Sequence, residues 1–424
     1  MGHEQAAEPE RQARRVRRRR VFYIPGYDPI HPRRYRELYR KEAAAQAAIS
    51  SYEIALRPKQ TGGGPYGWHV NSRIEGAEIE ADVEVLVWSD IVRDSMSNGI
   101  LATYLQLAQT AWVYIATGTL GRLMRLRKGP VIAALYPVGV LLLQLVLAAL
   151  LIWTAGGTAG LAADALGLSG RPGVALRLLG AGLGAGLALV LMLWIKARDG
   201  KFFVYYLMHD YAYSARHRGA NPPELEARLS EFGDRVAAAL SEGIDEVLVV
   251  GHSSGAHLGV SVLADLIRAG RVPKGGPALG FLTLGQVVPM VSFLPQAHRL
   301  RADLRFLATR DEVTWVDVSA PGDGCAFALC DPVAVSGVAT EGKRGPLVVS
   351  AAFTRTLSPE RWAALRWRFF RLHFQYLCAF DRPGDYDYFR ITAGPVTLAE
   401  RYRGRVASKS RIERPVSKYT SVTP

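Results

Sequence analysis

The sequence predicts an α/β protein interrupted by a pair of membrane-spanning helices. Three observations carry this. An apolar, β-branched run, Val247-Leu248-Val249-Val250, drives into Gly251-His252-Ser253-Ser254-Gly255, and a helical pattern follows over 256–269. Short strand-like runs at 21–25, 81–88, 279–284, 313–318 and 347–353 are separated by helical segments. Residues 131–153 carry no charge, and 174–195 carry only Arg177 near the start.

The chain begins with an arginine run, Arg14-Arg15-Val16-Arg17-Arg18-Arg19-Arg20, read as a basic tail over 1–20. It supplies much of the net charge of +14. Such a tail suits anionic lipid or plain solvent, and the apolar stretches downstream favour lipid over nucleic acid. The strand-like run at 21–25 is too brief for the apolar region of a signal peptide. Cys325, Cys330 and Cys378 form no disulfide framework and lack the spacing of a zinc site. They read as reduced thiols in a cytoplasmic compartment.

Residues 33–49 are helix-forming, 52–56 strand-like and 60–66 a Gly-rich loop. The strand at 81–88 ends at Asp90, which reads as the cap of a helix starting near Ile91. Residues 99–120 lack charge but hold Gln106, Gln109 and several threonines, which fits a lid, an interfacial helix or a buried core helix.

At ~1.5 Å rise per residue, 131–153 exceeds the ~30 Å hydrocarbon core of a bilayer. The second run holds two small-residue pairs, Gly180/Gly184 and Gly182/Gly186, at the spacing that lets a partner helix approach. Between the runs, 154–173 reads as a Gly/Ala-rich loop. The outer flanks hold Arg122, Arg125, Arg127 and Lys128, then Lys196, Arg198 and Lys201. Basic flanks face the cytoplasm. Strands on both sides of the insertion share one sheet, so the number of spans between them must be even. Residues 99–120 therefore make no third span. Beyond the hairpin, the aromatic-rich 202–213 suits headgroup depth, and His209-Asp210 within it reads as a surface or capping pair. A helix with the stripe Leu225, Leu229, Phe232, Val236 and Leu240 follows.

The pattern Gly251-x-Ser253-x-Gly255 demands glycine for a steric reason. In so tight a turn, Cβ atoms two positions either side of the serine would collide. Ser253 then stands exposed above the sheet, and the Ser254 N–H lies at a helix N-terminus, where free donors favour an oxyanion. Here the chain resembles the α/β-hydrolase superfamily, over roughly 20–98 and 221–380. The resemblance implies a mostly parallel sheet with helices on both faces, and a catalytic order of serine, acid, histidine. It also implies a second oxyanion amide after an early strand. Pro25-Gly26-Tyr27 stands in that place, making the Tyr27 N–H the candidate donor. The acid should follow the strand at 313–318. Asp323, between Gly322 and Gly324, is the choice and Asp331 the runner-up; Asp311 and Asp317 are misplaced. Every histidine but His373 precedes Asp323, so order selects His373.

The expected protein is a membrane-anchored serine hydrolase with the catalytic set Ser253, Asp323 and His373 and the oxyanion amides of Tyr27 and Ser254. It would act on an ester or thioester of an apolar acyl group, with membrane lipid as partner and neither metal nor organic cofactor. Its expected setting is a bacterial inner membrane, crossed more than once, with the catalytic part in the cytoplasm. Acyl transfer by the same residues, or a silent scaffold of the same fold, stay open. The expected parts are a tail (1–20), a first α/β segment (21–120), the hairpin (121–201), a second α/β segment (202–400) and a C-terminal tail (401–424).

Overall fold

The structure, a computed structural model, describes residues 15–59, 64–96 and 99–424. Eight strands form one sheet: β1 (Arg18–Ile24), β2 (Glu53–Pro58), β3 (Gly67–Ile74), β4 (Ala77–Val85), β5 (Glu246–His252), β6 (Ala278–Leu284), β7 (Thr314–Ser319) and β8 (Leu347–Ser350). Their spatial order is β2-β3-β4-β1-β5-β6-β7-β8. β1 is parallel to both β4 and β5, and β5 to β8 are parallel in turn. β3 alone runs antiparallel to its neighbours β2 and β4. The chain is thus a mixed α/β protein with a mostly parallel sheet.

Central strands of such a sheet are buried on both faces, which is why β5 reads as a continuous apolar run. Val247 and Val249 join one core with Phe232; Leu248 and Val250 join the other with Tyr35 and Tyr376. β3 has no counterpart in the sequence reading. Its run Gly67-Trp68-His69-Val70-Asn71-Ser72-Arg73-Ile74 carries more polar than apolar side chains, and only pairing with β2 and β4 makes it a strand.

Both expected tails need correction where they are described. Arg18, Arg19 and Arg20 belong to β1. Arg19 is buried: its Nε donates to Glu246 Oε2 at 2.6 Å, and its other nitrogens donate to the carbonyls of Gly394 and Val396. Arg20 pairs with Glu84 and Glu242. Carboxylates on β4, on β5 and just before β5 neutralise Arg19 and Arg20, so these two are not offered to lipid, whereas Arg15, Arg17 and Arg18 stay exposed. Residues 1–14 of that tail lie outside the described residues, as do 60–63 of the Gly-rich loop. The C-terminal stretch is likewise packed. Ile412 N–H donates to the Leu329 carbonyl at 2.7 Å, and Val416 is buried.

The helices that shape the site are α1 (Arg33–Ser50), α2 (Ile100–Ala116), α3 (Lys128–Ala165), α4 (Arg171–Ala197), α5 (Val204–Arg216), α6 (Pro223–Leu240), α7 (Gly255–Arg268) and the short α8 (Phe369–His373). α2 buries Leu107, Val113 and Tyr114 while exposing Leu101, Leu105, Trp112 and Ile115, so it is no buried core helix.

α3 and α4 are long and apolar enough to cross a membrane, their most apolar 18-residue stretches having mean hydropathies of 2.5 and 2.2. α3 runs past the expected end of its span, and the expected 154–173 loop shrinks to 166–170. Its 38 residues reach roughly 57 Å at the usual rise. Packing explains the extension: Gly156 and Gly160 lie against Ala181 and Arg177 of α4, so close contact replaces weak helix propensity. The two small-residue pairs differ. A Cβ on Gly180 would stand 2.5 Å from Ala155 O, and one on Gly184 2.5 Å from Leu151 O. At Gly182 and Gly186 nothing lies within 4 Å. Gly180/Gly184 is the contact, and Gly182/Gly186 faces outward.

Candidate active site

The turn from β5 to α7 holds Ser253 at φ 56°, a left-handed conformation that a serine rarely adopts. Its glycines are required, with different partners. A Cβ on Gly251 would stand 2.6 Å from Gly255 O, and one on Gly255 only 2.1 Å from Ile24 O at the end of β1. The neighbouring strand, as much as the turn itself, forbids a side chain at Gly255. Gly26 touches the serine directly: its Cβ would lie 3.0 Å from Ser253 Cβ and 3.3 Å from Oγ. Among the described residues no acceptor engages the amide of Tyr27 or of Ser254. The Tyr27 carbonyl accepts from Tyr206 OH, tying the loop after β1 to α5.

His373 ends α8. Its Nδ1 lies 2.8 Å from Asp323 Oδ2, and Tyr376 OH donates to the same oxygen at 3.0 Å. Ala320 N–H donates to Tyr376 OH at 3.0 Å, which leaves the phenol proton for Asp323. Cys325 N–H donates to Asp323 Oδ1 at 2.9 Å. Burial alone would raise the Asp323 carboxyl; the His373 charge and these donors outweigh it and hold the group below its ordinary value.

Ser253, Ser254, Tyr27 and His373 line one cavity, with Asp323 bonded behind His373. Among the described residues no hydrogen bond joins Ser253 Oγ to His373. Such contacts often tighten only around substrate.

His252, a motif residue with no role of its own in the sequence pattern, supports His373. It is buried beside His373, with ring centroids 4.9 Å apart, and its Nε2 lies 3.0 Å from the His373 carbonyl. Burial, followed by the His373 charge, lowers it to about 3, so the ring is neutral and Nε2–H donates.

Other acidic residues are placed elsewhere. Asp331 caps a short helix through the amides of Val333 and Ala334 and pairs with Lys343. Asp317 is buried in β7 and accepts from Thr283 OH at 2.6 Å. Asp90 does not cap its helix; it sits in the first turn, 2.7 Å from Arg228.

The expected surface pair His209-Asp210 is the largest correction. His209 is buried on α5 against Gln106, and Asp210 lines the Ser253 cavity. Burial raises Asp210 to about 7, with the His373 charge pulling the other way. Tyr27, Tyr114, Tyr206, Tyr211 and Cys325 all feel its field. The available signal was helical: Tyr206, Leu207, Asp210, Tyr211 and Ser214 share one face at spacings of three and four.

Asp323, Cys325 and His373 have ligand atoms within 4.8 Å of one another, close enough for a cation. The fit is poor. Three N–H and O–H donors face the Asp323 oxygens, and burial keeps the Cys325 thiol protonated. The cluster is built for hydrogen bonding. A hydroxyl, an imidazole, an ionised carboxylate and two unengaged amides around one cavity can carry out acyl transfer. No protein-family model, curated protein or solved structure matches the chain.

Proposed function

We propose that the protein is a membrane-anchored serine hydrolase of the α/β-hydrolase type, cleaving an ester or thioester of an apolar acyl group. One observation carries the reading: a left-handed serine, crowded by glycines, shares its cavity with a histidine held by a fully bonded carboxylate. Ser253 Oγ attacks the acyl carbonyl carbon as its proton passes to His373 Nε2. The oxygen that gains the electron pair faces the amides of Ser254 and Tyr27. Collapse breaks the bond to the alcohol or thiol, which takes the proton from His373. Water then repeats the attack, its proton passing through His373, and leaves the free acid and the original serine. Asp323 stays ionised and holds the imidazolium through Nδ1–H.

One feature departs from the family. There the second oxyanion amide follows the third strand; here it follows β1. β1 nevertheless lies beside the serine strand β5, which is what the chemistry needs. In this reading α3 and α4 cross the bilayer. Their insertion between β4 and β5 keeps both halves of the sheet on one side, and the basic flanks make that side cytoplasmic.

A fluorophosphonate probe tests the reading. Ser253 Oγ bonds to phosphorus and fluoride leaves, a reaction that an unactivated serine does not undergo. Wild type labels in membranes, Ser253→Ala does not, and His373→Ala labels far more slowly. Equal labelling of Ser253→Ala and wild type would remove the nucleophile, and unlabelled but folded wild type would point to a scaffold.

A further inference from the structure

The Ser253 cavity adjoins a second one. Leu207, Tyr211, Cys325 and Phe370 line it and also line a larger cleft of about 920 Å³, within the size range of small-molecule sites. One wall of the cleft is the foot of α3, with Ile132, Ala133 and Tyr136. The opposite wall is the segment 367–371, where Trp367 is 72% and Phe369 43% exposed. Pro130, in the first turn of α3, lines the Ser253 cavity itself. The cleft therefore lies between the base of the apolar hairpin and the Ser253 cavity.

Its charge is one-sided. Lys201, Arg368 and Arg371 line the cleft, and among the described residues no carboxylate pairs with any of them. Arg366 lies over the exposed Trp367 ring at 5.6 Å. Exposed aromatics with unpaired cations, at the foot of an apolar helix, match the headgroup depth of a bilayer.

We propose that this cleft receives the acyl chain of an anionic membrane lipid, with Lys201, Arg368 and Arg371 holding the headgroup and the ester delivered to Ser253. The assignment of substrate class rests on the hydrolase reading; the binding site does not. It gives the wide cleft, its apolar lining and its unpaired cations one occupant.

Two measurements on the full chain in lipid nanodiscs test it. In the first, Ser253→Ala is photolabelled with phosphatidylglycerol or phosphatidylcholine carrying a diazirine in the acyl chain. Crosslinks should fall in the peptides holding 132–136 and 367–371. Arg368→Gln with Arg371→Gln should weaken phosphatidylglycerol labelling by about tenfold or more, at roughly fivefold per cation, and leave phosphatidylcholine unchanged. Crosslinks confined to the outer faces of α3 and α4 would overturn the site. Labelling by both lipids that ignores the arginines would overturn the anionic occupant.

In the second, Ala133→Trp fills the cleft away from the catalytic groups. A long-chain fluorophosphonate should then label Ser253 at least about tenfold more slowly, the worth of roughly two buried methylenes, while a short-chain probe is unaffected. Equal effects on both probes would overturn the acyl channel. If the short probe fails on wild type, the hydrolase reading falls, and the crosslinks still decide whether the cleft binds lipid.

Discussion

On the sheet side of the Ser253 cavity, both oxygens of Asp323 have donors; on the α5 side, the Asp210 carboxyl has no hydrogen-bond partner among the described residues. Burial pushes both carboxyls up. At Asp323 the His373 charge and three donors reverse it, whereas at Asp210 only the His373 charge opposes, and the group rises to about 7. Donors, rather than depth alone, decide which carboxylate is permanently charged. The sheet wall thus offers fixed, ionised chemistry. The helical wall offers phenols and an acid that titrates near neutrality.

The largest expected effect comes from breaking the bonded side. Asp323→Asn should lower kcat by ~10⁴-fold, because the amide favours the wrong histidine tautomer. Asp331→Ala should instead cost about 1–2 kcal/mol of stability as a lost helix cap, with kcat nearly unchanged. Turnover of an activated ester and thermal melts separate the two. A larger kcat loss at Asp331 would show that Asp323 is not the acid.

Gly26→Ala attacks the same wall from its other edge. The new methyl would stand 3.0 Å from Ser253 Cβ and push the loop carrying the Tyr27 amide. A loss of ~10²–10³ in kcat, the usual worth of one oxyanion donor, is expected with little change in Tm. Unchanged turnover would remove Tyr27 from the oxyanion site.

Asp210→Asn should have the smallest effect and sharpens the comparison from the helical side. Burial raises the folded Asp210 to about 7, well above an ordinary carboxylate, so the stability that wild type draws from a protonated Asp210 is full at low pH. It fades as pH rises through that window. Asparagine has no such loss, so its Tm relative to wild type should climb between these two pKa values and then level off. A difference that does not vary with pH would mean that Asp210 ionises normally.

Legibility tracked the range of the interaction. The Ser253 turn was readable because its glycines answer a steric demand made within five residues and by one adjoining strand. The hairpin was readable from length and lack of charge. Chain order alone singled out His373, which reaches Asp323 across fifty positions. β3, by contrast, has no pattern of its own, and the true length of α3 depends on α4 lying against it.

By itself, the sequence determined where a strained serine must stand, which histidine follows the candidate acid and where an apolar hairpin interrupts the α/β chain. Those properties follow from local sterics, order and hydrophobicity. Only the tertiary structure decided that Asp323 rather than Asp331 meets His373, that Arg19 closes on Glu246 rather than on a membrane, and that Asp210 lines the cavity. The reason is common to all three. The state and role of a charged side chain depend on which donors, acceptors and low-dielectric surroundings lie within a few ångströms, and here these come from distant parts of the chain.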